Sequence, residues 1–551
     1  MAGRPSTENH VVDEAVFAWW DYPLFAALSA LNVVAVAFVA WYWVVKGDAL
    51  HRPLLFGLIA APFALGLLLY ECRWFAMPFM RRPRPLKPAA GWRVGVAATF
   101  VPGAEPIEML AETLQALLAM DYPHDTWVLD EGNDDRVKAL CCSLGARHFS
   151  RKGLSDYQTS SGPFQAKTKH GNYNAWLAEI GFANYDIVVG FDPDHIPAPR
   201  FLSRVLGYFD DPKVGFVQAA QLYYNQGASF VAKGAAEETY AYYSSIQMTA
   251  YALGYPIVTG CHNTHRVSAL REVGGFAAHD ADDLLITLQY RSAGWRGVYV
   301  PEKLAVGLVP VDWAGYLAQQ RRWARSVLDI KFRVYRSLFG RLSMPERLAS
   351  LLHGLHYFYG ITTALGLGAL AYVLVTGATV PLVSRPAIPI FAGLVLILQP
   401  SELYRQRFFL QPRTEAGLHW RAAILRLAKW PFVLLASLEA IFNVKRTYAI
   451  TRKVGRSRAP WGLAVAHLGT ALVVAAAWAA GWLRGVVHPT VVSAVSAAIV
   501  IASVGVALAA LFEFPDPYDP QLSRASSAVI LHPLPSPPLD SAGSASTVRA
   551  S

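Results

Sequence analysis

Ile187-Val188-Val189-Gly190-Phe191-Asp192-Pro193-Asp194 is the stretch that decides the fold. Five apolar or small residues in a row suit a strand buried on both faces, and the run ends on two carboxylates separated by a proline. Four more short apolar runs lie around it, at 94–98, 127–129, 214–218 and 297–300, with helical patterns between several of them at 106–118 and 283–293. This alternation predicts parallel strands with covering helices, an α/β domain. Acidic residues follow three of the runs: Glu105 the first, Asp130-Glu131-Gly132 the second, Asp192-Pro193-Asp194 the third. Open α/β sheets bind ligands at the carboxyl ends of their strands, so these groups predict a polar crevice suited to a metal.

The chain around this domain is of another kind. Of its 551 residues 54% are apolar and 16% charged, against about 25% charged in ordinary soluble proteins, and mean hydropathy is +0.28. An ordinary soluble enzyme, a disordered scaffold and a collagen-like fibre are excluded. Runs near the roughly 20 residues that a bilayer crossing needs lie at 24–45, 54–70, 351–376, 388–403, 461–482 and 490–512. The first lacks a small-residue cleavage site and reads as a retained anchor. Segment 419–444 is apolar but interrupted by Arg421, Arg426 and Lys429, which predicts an amphipathic helix in the membrane interface and not a seventh crossing.

With six crossings the basic stretches 81–87, 405–413 and 445–458 share one side, cytoplasmic by the positive-inside bias, together with both termini and the α/β domain. The net charge of +10, from 49 Lys+Arg and 39 Asp+Glu, belongs to such loops and makes no case for nucleic acid. The expected division is a cytoplasmic N-terminal segment (1–23), two crossings with a basic stretch (24–87), the α/β domain (88–340), a membrane region (341–512) and a disordered Pro/Ser/Ala-rich tail (513–551). The four cysteines, Cys72, Cys141, Cys142 and Cys261, form no CxxC or Cys/His spacing that points to zinc, and a reduced setting is the simplest reading.

Asp192-Pro193-Asp194 after an apolar strand resembles the Asp-x-Asp motif of GT-A glycosyltransferases; two hard carboxylates can hold Mg²⁺ or Mn²⁺ against a diphosphate and leave positions open. Other motifs follow in order. Lys167-Thr168-Lys169-His170-Gly171-Asn172-Tyr173-Asn174 is similar to the Lys-Ala-Gly-Asn-x-Asn stretch of family 2 enzymes. Asp282-Asp283, before a helix that ends at Gly294-Trp295, resembles their Thr-Glu-Asp to Gly-Trp unit, and Gln319-Gln320-Arg321-Arg322-Trp323 matches Gln-x-x-Arg-Trp. Tyr448-Ala449-Ile450-Thr451-Arg452-Lys453 resembles the Phe-x-Val-Thr-x-Lys gating loop of bacterial cellulose synthases and has its place before the last two spans.

The resemblance covers roughly 91–512. It departs at Asp130-Glu131-Gly132 for Asp-Asp-Gly, at Ala281-Asp282-Asp283 for Thr-Glu-Asp, and at 99–106, an altered form of Pro-Thr-Tyr-Asn-Glu. It departs also at Gly260-Cys261-His262-Asn263, where cellulose synthases carry Phe-Cys-Gly-Ser. These changes keep the charges that the chemistry needs and weaken an assignment to cellulose itself.

The resemblance implies a GT-A-type, Rossmann-like cytoplasmic domain inserted in an all-α bundle of about six membrane helices plus interface helices. It implies an inverting, processive transferase that polymerises a UDP-sugar, UDP-glucose first among them, into cellulose or a related β-glucan and moves it across the inner membrane. In that reading Asp283 is the general base, and Asp192 and Asp194 hold Mg²⁺ or Mn²⁺ and the diphosphate. Asp130, with Glu105, meets the uracil or ribose. Lys169 and Arg322 meet the phosphates, Gln319 belongs to the substrate-binding motif, Trp323 stacks on the sugar, and Thr451 and Lys453 close as a lid. Taken alone, Asp283 also reads as a helix N-terminal acid facing the dipole, and Arg322-Trp323 as an interfacial anchor.

His353, His356, Tyr357 and Tyr359 fall in the third predicted crossing, with the first three on one face, as a polymer-channel wall or an aromatic belt. The implied partners are the UDP-sugar donor, the growing polysaccharide, the lipid bilayer and export proteins. Nucleic acid is not among them. Cyclic-di-GMP is not expected either, since the segment after the last span is too short for a PilZ barrel. The competing reading is a non-processive membrane transferase that acts on a lipid-linked acceptor.

Overall fold

A computed structural model of the chain describes residues 11–46, 51–378, 384–444 and 460–512. A two-stranded ribbon pairs β1 (Asp13–Ala15) with β2 (Arg81–Pro83). The main sheet comprises β3 (Val94–Phe100), β4 (Asp125–Asp130), β5 (Arg147–Phe149), β6 (Ile187–Phe191), β7 (Ile196–Pro197), β8 (Val214–Tyr223), β9 (Asn263–Arg266) and β10 (Arg296–Gly307). Their order across the sheet is β5-β4-β3-β6-β9-β8-β10-β7. Every residue of β6 is buried, as its unbroken apolar run requires.

β5, β4, β3 and β6 are mutually parallel, so the acid-bearing ends of β3, β4 and β6 open on one edge. The purely parallel expectation is corrected at β9, which runs antiparallel between β6 and β8, and at β7, antiparallel to β10. β9 reads Asn-Thr-His-Arg and carries no apolar signal at all. It is tolerated in mid-sheet because its two ladders and the partners of His265 and Asn263 satisfy most of its polar groups. His265 Nδ1 lies 2.9 Å from the Tyr290 hydroxyl and its Nε2 lies 3.0 Å from Asn263 Oδ1. The result is a curled, mixed, GT-A-like sheet of Rossmann type.

Helices cover both faces. In Ile107–Leu118 the residues Met109, Leu110, Thr113, Leu114 and Leu117 recur at helical spacing and are buried, the three leucines in one cluster with Val96, Val128 and Val189. Each such leucine contributes on the order of 2 kcal/mol. On the other face Asp282–Ser292 packs Leu284, Leu288 and Tyr290 against Trp176 and Phe216.

Among the described residues, six helical stretches are long and apolar enough to cross a membrane: Asp21–Lys46, Pro53–Phe79, Met344–Thr376, Ala387–Gln406, Trp461–Leu483 and Thr490–Phe512. Their ends sort into two groups. At one end Tyr42 meets Ser384 at 3.0 Å and Arg385 donates to Thr490 at 3.2 Å. At the other, Tyr404 donates to the Asp21 carbonyl at 2.8 Å, and the Tyr251 hydroxyl of the α/β domain reaches Asp13.

The third stretch is not one helix. Met344–Leu352 carries a Ser343/Glu346 capping box and stops where Gly354 adopts φ 78°; a 3₁₀ turn, Leu355–Phe358, leads into Tyr359–Thr376. His353, His356 and Tyr357 therefore sit in a break and not on one helical face. Helix Trp420–Ile441, the expected interface helix, buries Leu425 and Ala428 against Val231 and Ala235, and Val433 and Ala436 against Ala324 and Leu328. Leu427, Leu435 and Ile441 remain exposed on its other side.

Candidate active site

The turn after β6 places Asp192, Asp194 and His195 together, with donor atoms within 4.8 Å of one another. His195 N donates to the Asp192 carbonyl at 3.1 Å, and His195 Nδ1 donates to Asp194 Oδ1 at 3.1 Å. Lys169 comes in from the start of helix Lys169–Trp176, whose N-cap Thr168 accepts from Gly171 N at 3.2 Å. Gly171 is required there, since a Cβ would collide with the Gln165 carbonyl and the Arg151 guanidinium. The Lys169 ammonium bridges Asp192 Oδ1 and the Gly260 carbonyl. Burial alone would lower this ammonium, but the Asp192 carboxylate holds it well above the ordinary lysine value. Two carboxylates and an imidazole at these separations fit a hard divalent cation, with Lys169 already neutralising one of the charges.

Asp282 and Asp283 open the helix Asp282–Ser292 at the cavity wall. Asp283 Oδ1 accepts from Leu284 N at 2.8 Å, and Asp282 Oδ1 accepts from Asp283 N at 3.0 Å. Burial, then the adjacent Asp282 charge, push Asp283 up from 3.8 to about 7, against the pull of Leu284 N, Lys169 and Arg322. An acid governed by the helix dipole would be lowered. Here burial wins.

Helix Trp313–Asp329 starts on Asp312, which accepts from Gly315 N at 2.7 Å. Gln319, Arg322 and Trp323, spaced i, i+3 and i+4, all face the cavity. The intervening pair holds helix Trp420–Ile441. Lys429 Nζ donates to Gln320 Oε1 at 2.7 Å and to Glu238 Oε2 at 2.8 Å, and Arg321 pairs with Glu439. Of the Gln-x-x-Arg-Trp side chains only Arg321 turns wholly to the neighbouring helix, while Gln320 both holds Lys429 and lines the cavity.

Glu105 lines the cavity and accepts from Val101 N at 3.0 Å. Asp130, expected at the base or ribose, is fully buried. Its oxygens accept from Gly132 N at 2.8 Å, Asp134 N at 2.6 Å and His148 Nε2 at 3.1 Å, so the carboxylate shapes its own turn. The neighbouring Glu131 reaches the cavity. It accepts both arms of Arg151, at 3.0 and 2.9 Å. Arg151, wholly buried, also donates to the carbonyls of Tyr157, Phe164 and Gln165 at 3.0, 3.2 and 3.0 Å, fastening the loop that leads to Lys169. No sequence signal singled out Arg151. His195 was readable only as the residue after Asp-x-Asp. Thr451 and Lys453 lie outside the described residues.

One cavity of about 1870 Å³ joins these groups and continues past Trp323, Tyr357 and His353 to Leu65, Leu69 and Thr363 of the apolar helices. Its middle is aromatic and hydrogen-bonding, and its far end aliphatic.

Residues 95–326 match the family profile described as glycosyltransferase like family 2. With the GT-A-like sheet, this makes the segment a family 2 glycosyltransferase domain. Within that class the chain is similar to the UDP-forming cellulose synthase catalytic subunit of Xanthomonas axonopodis pv. citri, 29% identical over 327 residues, covering 57% of this chain and 43% of that one. The corresponding subunit of Pseudomonas fluorescens is 28% identical over 404 residues, covering 71% and 51%. The matches span about half the length of these relatives. A solved mannosyltransferase from Pyrobaculum calidifontis, in complex with GDP-Man and Mn²⁺, is similar over 75% of this chain and all of its own, at 18% identity and a TM-score of 0.47, a level that carries no argument.

Proposed function

We propose that this chain is an inverting, processive glycosyltransferase of the bacterial inner membrane. It polymerises a UDP-sugar, UDP-glucose first among the candidates, into a β-linked glucan and leads the product into its own membrane helices, with the α/β domain and both termini cytoplasmic. The observation that carries this reading is the single cavity from the Asp192, Asp194 and Asp283 carboxylates, past Trp323 and Tyr357, to the apolar helices.

The acceptor hydroxyl attacks the anomeric carbon and passes its proton to Asp283, whose value near 7 suits a base at neutral pH. The new C–O bond forms as the bond to the diphosphate breaks, so an α-linked donor yields a β-linkage. Asp192 and Asp194 would hold a divalent ion, Mg²⁺ or Mn²⁺, which would supply neutralisation of the departing charge. Lys169 and the planar fork of Arg322 meet the phosphates, with Glu105 at the nucleotide end and Gln319 beside Arg322. Asp130 acts through the loop it shapes. Trp323 gives the acceptor ring a flat apolar face, and Thr451 and Lys453 serve as the lid, on their sequence alone.

A lipid-linked acceptor is a second reading, favoured by the aliphatic wall of Leu65, Leu68 and Leu69, which suits a prenyl chain. Purified protein in lipid with Mg²⁺ is offered labelled UDP-glucose, UDP-GlcNAc, UDP-galactose and GDP-mannose, and products are separated by size, organic extraction and linkage-specific digestion. High-molecular-weight β-glucan from one donor, absent with Asp283→Asn, is expected. Label confined to a single sugar on extractable lipid selects the second reading, and no turnover with any donor refutes both.

A further inference from the structure

β6 leads into Asp194 and His195, and the turn before its antiparallel neighbour β9 carries Cys261 and His262. The pairing brings together residues far apart in sequence. One ring nitrogen of each histidine and Cys261 Sγ lie within 4.8 Å of one another, and all three side chains are buried.

His262 is oriented as ligands usually are. His262 Nε2 donates to the Ala219 carbonyl at 3.2 Å, which leaves the lone pair on Nδ1. That Nδ1 is enclosed and has no oxygen or nitrogen partner. Its neighbour is the Cys261 thiol, a weak donor, and an ion bound to the thiolate would serve this buried nitrogen better. His195 donates from Nδ1 to Asp194 and seats its ring against Gly307; its Nε2 accepts from Gln221 Nε2 at 3.2 Å, a bond that an ion would displace. Cys261 and His195 both line the cavity, so a fourth position opens toward it.

Two imidazoles and a thiolate with one open position are the donor set of a borderline-soft ion of the zinc class and a poor one for Mg²⁺. We propose that His195, Cys261 and His262 form a second cation site, selective for Zn²⁺-class ions, beside the hard carboxylate site. It shares His195 with that site and pins the 259–263 turn to the end of β6. Because Gly260 in this turn accepts from Lys169, occupancy of the soft site fixes the carbonyl that helps hold the Lys169 ammonium beside Asp192.

Binding is measured without sugar nucleotide, so the result stands apart from the glycosyl-transfer reading. The full chain, purified in detergent and stripped with chelator, is used with the exposed Cys72 and Cys142 replaced by serine. Titration with Co²⁺ should reach one equivalent with a thiolate-to-cobalt charge-transfer band in the near ultraviolet, displaced by Zn²⁺. The band should vanish in Cys261→Ser and His262→Ala and persist in Asp192→Asn, which removes none of the three donors. Absence of the band in the unsubstituted site overturns the proposal without recourse to any variant. So does a band that survives Cys261→Ser, or one that Asp192→Asn abolishes.

Discussion

Replacing Asp283 by asparagine should make the protein more stable and nearly inactive at the same time. Asparagine keeps the oxygen that accepts from Leu284 N and replaces the ionisable hydroxyl by a neutral amide NH2. In the folded chain the carboxyl titrates at about 7 instead of 3.8, because burial and then Asp282 disfavour its charge. At about 1.4 kcal/mol per unit, ionising it costs the fold up to about 4 kcal/mol, less whatever cavity water relieves. The sign follows from a folded value raised above the unfolded one. The group's favourable contribution is complete below about pH 4 and is lost as pH rises to about 7. Wild type and Asp283→Asn should therefore melt together at acid pH, with the variant several degrees higher near pH 8, read by differential scanning fluorimetry in detergent. Wild-type kcat/KM should rise about tenfold from pH 6 to pH 8 along a limb centred near 7, and the variant should lose roughly a hundredfold or more. A variant that melts lower at pH 8 would show a helix-stabilising acid, and a flat rate profile would remove Asp283 from proton transfer; either result refutes the reasoning.

Arg151→Met should destabilise the domain by about 2–4 kcal/mol in denaturant titration, because the wholly buried fork that holds Glu131 and the loop carbonyls is lost; Arg151→Lys should rescue little. Lys429→Met and Glu238→Gln should each cost about 3 kcal/mol, while the double replacement costs clearly less than their sum in a thermal double-mutant cycle, since the pair is buried between two helices. Asp194→Asn should raise the Mg²⁺ or Mn²⁺ concentration needed for half-maximal turnover by at least about tenfold, and chelator should abolish wild-type turnover reversibly. Trp323→Ala should raise the acceptor KM about tenfold and shorten the product, with Trp323→Phe intermediate in a chain-length assay.

Much of the site was readable because its residues repeat a local geometry. Asp192 and Asp194 end a buried strand, and the ends of parallel strands meet at one sheet edge whatever the rest of the chain does. Gln319, Arg322 and Trp323 fall on one face at helical spacing, so their common exposure to the cavity follows from the 3.6-residue period. The six apolar stretches were legible from length alone.

Other features had no local cause. β9 has no apolar alternation and is buried only because His265 finds Tyr290 and Asn263. Asp130 looked like its acidic neighbours in sequence, yet its carboxylate turns into its own loop while that of Glu131 reaches the cavity. The 351–376 stretch read as one crossing because hydropathy does not register the left-handed Gly354 that breaks it.

The amino-acid sequence by itself determined the apolar strands, the long apolar stretches and the identity of the acids at the strand ends, since these depend on period, length and near neighbours. Only the tertiary structure decided which groups share a space: Lys429 with Glu238 across 191 residues, Arg151 with four loop partners, and Cys261 and His262 with His195. Burial and Coulomb terms, including the shift of Asp283 to about 7, act between atoms close in space, and that closeness is set by how the chain packs and not by its order.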